Sequence, residues 1–145
     1  MQSIPDQGGR RGAVGICPRD DGRMLVIRRG PGVLAPGTLC FPGGGIETGE
    51  SEQQALVREI EEEVGVRVVP VRRLWRCRTD WNVNLAWWLA ALPTAEPTIA
   101  DPREVASIHW MTPHEMAEHP DLLESNREFL RLVLRGQICL QDRER

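Results

Sequence analysis

The chain has 145 residues, 41% hydrophobic and 27% charged, with a net charge of −3 and four cysteines. These values suit a globular protein of one domain with a core of its own. They give no basic footprint of a nucleic-acid surface, and no stretch reaches the 18 or so apolar residues of a membrane span.

The opening MQSIPDQGGRRG lacks the apolar run of a secretory signal. Residues 1–11 read as a flexible lead-in and residues 12–140 as the domain. GAVGIC (12–17) and RMLVIRR (23–29) are strand-like, and the Asp21-Gly22 pair between them is a good hairpin turn. GPGVLAPG (30–37) carries too many breakers for an element. TLCFP (38–42) is a short strand stopped by Pro42. A helix is predicted over 52–64, because Ser51 is a good N-cap, Gln54 completes a capping box and Gly65 is a stop signal. VRVVPVRRLWRCRT, NVNLAWWLAAL and REVASIHWM follow as strands. Thr112-Pro113-His114-Glu115 opens a short helix, and SNREFLRLVLRG closes the fold with another. Alternating strands and helices imply a compact α/β or α+β domain.

The cysteines are Cys17, Cys40, Cys77 and Cys139, with no C-x-x-C pair. Reduced thiols in a cytoplasmic protein are the expectation, and a zinc site is not.

The acidic residues are unevenly placed. Seven of the 21 lie between Gly43 and Val66, and Glu59, Glu61, Glu62 and Glu63 fall within five positions. At about 100° per residue, Leu56, Val57, Ile60 and Val64 share the core face of the predicted helix. Glu52, Glu59, Glu62 and Glu63 gather opposite, around the small Ala55. The i, i+3, i+4 spacing of Glu59, Glu62 and Glu63 aims three carboxylates at one spot. Like charges so placed repel unless a cation neutralises them, and oxygen ligands suit Mg²⁺ or Mn²⁺.

Gly44, Glu50, Arg58, Glu59, Ile60, Glu62, Glu63, Gly65 and Val66 together resemble the Nudix box, G-x5-E-x7-R-E-U-x-E-E-x-G-U, where U is a bulky aliphatic residue. Every fixed position matches, and CFPGG before it resembles the usual lead-in. The resemblance implies an α/β/α sandwich with a mixed β-sheet. It also implies Mg²⁺- or Mn²⁺-dependent hydrolysis of a nucleoside diphosphate linked to a moiety X. By motif position, Glu59, Glu62 and Glu63 bind metal, Glu59 orients or deprotonates water, and Gly43 supplies a carbonyl ligand. Arg58, Glu50, Gly44 and Gly65 support the loop and helix.

The flanks resemble the MutT-like branch, which removes oxidised guanine nucleotides. Arg29 resembles a phosphate-contacting arginine; it also reads as a surface charge at a strand end. Glu104, six residues before Trp110, resembles a late carboxylate that assists from a facing loop, with Asp101 as its competitor. Asn126 resembles an asparagine that reads the purine, although it or Ser125 would also serve as a helix cap. Trp87 and Trp88 are adjacent in a strand and point to opposite faces, so one is core and the other is open to stacking on a base. Trp87 is taken as the substrate-binding one. The expected reaction turns a (d)NTP or 8-oxo-dGTP into the monophosphate and pyrophosphate. An ADP-ribose or nucleotide-sugar pyrophosphatase is the alternative, and a non-catalytic nucleotide sensor stands third. The partner is thus a small nucleotide, without membrane or long nucleic acid, in a monomer or homodimer.

Overall fold

The computed structural model of the protein describes residues 10–141. In chain order the strands and helices are β1 (Arg10–Ile16), β2 (Met24–Arg29), β3 (Leu39–Cys40), β4 (Gly43–Gly45), α1 (Glu52–Val64), β5 (Val69–Arg78), β6 (Val83–Ala91), β7 (Val105–Met111), α2 (Pro113–Ala117) and α3 (Glu124–Leu134). Most of the expected lead-in, residues 1–9, lies outside the described residues. Arg10 and Arg11 belong instead to β1, paired with Val83 and Asn84 of β6.

The strands form two sheets, ordered β4-β1-β6-β5 and β3-β2-β7. The β1–β6 pairing is parallel and the others are antiparallel, so the four-stranded sheet is mixed. The turn at Asp21-Gly22 forms, with Gly22 at φ 84° and its N–H on the Arg19 carbonyl. The strands it joins nevertheless part after the Pro18–Met24 bridge, and each enters a different sheet.

Alternation along the strands sorts the core into two layers. Ala13, Leu25, Ile27, Ala86 and Trp88 pack with Leu56, Ile60 and Val64 of α1. Val14, Ile16, Met24, Val26 and Trp87 pack with Met116 of α2 and Phe129 and Leu130 of α3. This is an α+β architecture with helices on both sides of mixed strands. Leu56, Ile60 and Val64 are fully buried, and each contributes about 2 kcal/mol of transfer free energy. Among the described residues no helix is long and apolar enough to cross a membrane.

Helix α1 has the predicted bounds. Ser51 Oγ accepts from Gln54 N–H, the Gln54 side chain accepts from Ser51 N–H, and Gly65 ends the helix at φ 72°. Its buried set is Ala55, Leu56, Ile60, Glu63 and Val64, so Ala55 and Glu63 are interior and Val57 is only partly covered. The expected acidic arc is therefore split between solvent and interior.

Candidate active site

Glu59 and Glu63 of α1 meet Glu104, which lies just before β7. One carboxylate oxygen from each lies within 4.8 Å of the others. Glu63 is 6% exposed and accepts from the Gly43 N–H at 3.1 Å. Burial drives its carboxyl well above the usual range, and the nearby Glu59 and Glu104 charges add to that, against the Gly43 hydrogen bond and Arg29. Burial also raises Glu59, opposed by Arg58 and assisted by Glu62 and Glu104. Glu104 is raised by burial first, then by Asp101 and Glu62. Three acids thus resist ionising together, as expected of a hard-cation site made of oxygen donors.

The glycine strand makes this approach possible. A Cβ on Gly44 would occupy the volume of the Glu59 carboxylate, and one on Gly43 would overlap the Ala13 carbonyl. The flanking ladder bonds, Gly15 N–H to Pro42 O and Ile46 N–H to Arg11 O, pair Gly44 with Ala13. In an antiparallel ladder this turns the backbone groups of Gly43 and Gly45 away from β1. Gly43 N–H accordingly reaches Glu63, and Gly45 O accepts from Arg58 Nη2 at 2.9 Å.

Arg58 links the loop to the helix. It grips Glu50 with Nε at 2.6 Å and Nη2 at 2.9 Å, and reaches Glu59 with Nη1 at 2.9 Å. The Glu50 carboxyl is held down at about 2 by that fork and by the Glu47 N–H. Glu62 stands apart from the three-carboxylate group. It is exposed, with the Arg58 guanidinium at 3.3 Å. Glu52 is also elsewhere, bound to Trp88 Nε1 and to Arg76.

A cavity of about 260 Å³ adjoins the cluster, and Gly43, Gly44 and Gly45 form one wall. Arg29 and Asn126 both line it. Arg29 donates from Nε to the Leu34 carbonyl at 2.6 Å, and its charge reaches Glu63 and Glu104. Asn126 is 3% exposed; its Oδ1 accepts from Phe41 N–H at 2.9 Å and its Nδ2 donates to Ser125 Oγ at 3.2 Å. Neither Asn126 nor Ser125 caps α3, whose N-cap position is Leu123 without a side-chain bond.

Trp87 is not in this cavity. It is fully buried, stacked on Phe129 at 4.6 Å and edge-on to Phe41, with its Nε1–H toward Cys77 Sγ. The expectation that it binds substrate is corrected: α3 covers the sheet face to which it points. Trp88, on the opposite face, is also interior. The tryptophan lining the cavity is Trp81, half exposed in the β5–β6 turn beside Asn82 at φ 60°. Its neighbours Thr79-Asp80 and Asn82 were the available signal, since they mark a turn that projects its residues.

The NUDIX domain family model matches residues 9–133. The chain is 44% identical over 88 residues to an 8-oxo-dGTP diphosphatase of Escherichia coli (strain K12), covering 59% of this chain and 68% of that protein. It is 46% identical over 76 residues to an RNA pyrophosphohydrolase of Saccharophagus degradans, covering 48% of this chain and 43% of that relative. The crystal structure of a MutT NUDIX hydrolase from Burkholderia pseudomallei superposes with a TM-score of 0.76 at 26% identity, covering 86% of this chain and 98% of that one.

Proposed function

Because the chain belongs to the Nudix family, a family of hydrolases acting on phosphoric anhydrides, we propose that it is a Mg²⁺- or Mn²⁺-dependent pyrophosphohydrolase of (d)NTPs or 8-oxo-dGTP. The observation that carries the reading is the convergence of Glu59, Glu63 and Glu104 behind Gly43, which bonds Glu63 and lines a cavity together with Arg29 and the buried Asn126 amide.

The donor set fits a hard divalent cation. All ligands are oxygens, the carboxylates crowd, and the buried Glu63 makes no ion pair among the described residues. Glu59, Glu63 and Glu104 would hold the ion, with Glu62 at the rim and the Gly43 carbonyl on the outward edge of β4. A bound Mg²⁺ or Mn²⁺ supplies charge neutralisation of the phosphate oxygens and acidification of water. The protein's own groups do the rest. A carboxylate of the cluster takes the proton as water oxygen bonds to phosphorus, and the bridging P–O bond breaks with its electron pair leaving on the departing phosphate. Arg58 fixes the Glu59 rotamer through a two-point grip on Glu50, so Glu59 is positioned before substrate arrives. Arg29 faces the phosphates with a fixed positive charge. The Asn126 amide, held by Phe41 N–H and Ser125 Oγ, keeps one N–H and one Oδ1 lone pair for a base. Nucleotide-pool chemistry favours a cytoplasmic setting.

The test is a substrate panel with Mg²⁺ and chromatographic product analysis, run on wild type and Glu63→Gln. The expected result is monophosphate plus pyrophosphate from 8-oxo-dGTP or a dNTP, lost in the variant. Cleavage of ADP-ribose or a nucleotide sugar with triphosphates left intact would overturn the substrate assignment while keeping the hydrolase. Tight binding without turnover would replace it with a sensor.

A further inference from the structure

One side of the four-stranded sheet carries rows of cations that the proposed reaction does not use. Arg11 of β1, Asn84 of β6 and Arg78 of β5 are paired directly across three adjacent strands, so their side chains share that side. Ala86 and Arg76 form the next row, and Trp88 and Arg73 the one after, beside Glu52 at the start of α1. Arg10, Gly12 and Val14 alternate to the other side with Val83, Leu85 and Trp87, where the cleft lies. The sheet therefore stands between these arginines and the cleft. Ladder spacing puts Arg76 about 7 Å from Arg78 along β5, and Arg11 about 10 Å from Arg78 across β6. Among them is an open hollow of about 400 Å³, whose lining includes Arg11, Arg76, Asn84, Ile46 and Glu52.

Donors outnumber acceptors there. Among the described residues Glu52 alone forms ion pairs with these arginines, at 2.7 Å to Arg76 and 3.5 Å to Arg73. Arg78 places its Nε on the neutral Asn84 Oδ1 at 3.3 Å. That bond uses the Asn84 acceptor and leaves its Nδ2 without a partner among the described residues. The Arg11 side chain has neither a hydrogen bond nor an ion pair among them. Two uncompensated guanidinium groups and a free amide in one row favour an anion with several acceptor oxygens, since each guanidinium fork takes two oxygens at once. The lining of the hollow holds no aromatic side chain, so a nucleobase finds no stacking surface in it. A condensed phosphate without a nucleoside meets these conditions, because it carries charge on every phosphorus and can reach Arg11, Arg78 and Arg76 together.

We propose that this arginine hollow is a second anion site, separate from the cleft, that binds a short condensed inorganic phosphate such as tripolyphosphate. Bound there, the anion neutralises a face whose like charges repel and links β1, β6 and β5 through their side chains. The site does not depend on the proposed reaction, because its residues lie behind the sheet that forms the cleft wall.

The test is calorimetric titration of the protein with tripolyphosphate, pyrophosphate and orthophosphate at constant ionic strength. EDTA is present, so that no cation seats a phosphate on Glu59, Glu63 and Glu104. Tripolyphosphate should bind one to one and at least about tenfold tighter than orthophosphate, as a further charge-assisted hydrogen bond requires. Arg11→Gln/Arg78→Gln should weaken tripolyphosphate binding at least about tenfold and leave Mg²⁺-dependent dNTP hydrolysis within about twofold. A saturating nucleoside monophosphate should not displace the anion. In wild type, NMR of the arginine Nε–H groups should show Arg11 and Arg78 shifted at saturation, which locates the site even if the double variant does not fold. Equal affinity for tripolyphosphate and orthophosphate would overturn the proposal. So would displacement by the nucleotide, unshifted Arg11 and Arg78 signals, or unchanged affinity in a folded variant.

Discussion

Replacing Trp87 by leucine separates a packing role from a binding role. Trp87 is fully buried and stacked on Phe129. Truncating a buried tryptophan to alanine costs about 3–5 kcal/mol, and leucine refills part of the hole, leaving about 2 kcal/mol. Loss of the ring stack adds about 1 kcal/mol. The expected total is about 3 kcal/mol, or a fall in Tm of about 10 °C for a chain of this size. The assay is thermal unfolding beside steady-state kinetics below the transition. KM should stay within about twofold, since no atom of Trp87 lines the cavity. Trp81→Leu is the mirror case, with stability within about 0.5 kcal/mol of wild type and KM raised severalfold. A Trp87→Leu protein of unchanged Tm and raised KM would refute the reasoning, because Trp87 would then contact substrate and not the core.

Gly44→Ala should lower kcat more than about 100-fold with a modest loss of Tm, since its Cβ competes with the Glu59 carboxylate; activity and calorimetric Mg²⁺ titration measure this. Glu50 is lowered from 4.5 to about 2 in the folded protein, so its contribution is present above pH 4.5 and is lost as pH falls toward 2. Glu50→Gln should therefore flatten the acid limb of a urea-stability profile between those values. Mg²⁺ at about 100 times its Kd should stabilise wild type by about 2.7 kcal/mol, and EDTA should reverse the gain. Glu63→Gln should show a much smaller Mg²⁺ effect, with unfolding midpoints with and without Mg²⁺ as the measurement.

Local chemistry made α1 legible: its cap, stop and apolar spacing all lie within the segment, and the box residues lie on it. The Glu59 and Glu63 contribution to the site came with that helix. Strand β4 was hidden because three glycines have little intrinsic strand preference and pair only because β1 is already in place. The Asp21-Gly22 turn was readable, but its strands' assignment to different sheets was not, since a turn specifies only its immediate neighbours. Alternation showed that Trp87 and Trp88 face opposite ways without showing that helices cover both faces. The i, i+3, i+4 spacing grouped Glu62 with its neighbours, whereas burial divides Glu63 from the exposed Glu62.

The parallel pairing of β1 with β6 has a consequence for the order of folding. Arg10 meets Val83 and Ile16 meets Leu89, so this ladder closes only after the intervening chain has condensed. Contacts between such distant positions form slowly, because the loop must close before they repay it. Helix α1 can form early from its own signals, but β4 needs β1 as its template, and Glu104 arrives with the chain leading into β7. The carboxylates should therefore come within reach of one another only near the end of folding, so that Mg²⁺ affinity during refolding becomes a clock for the last step.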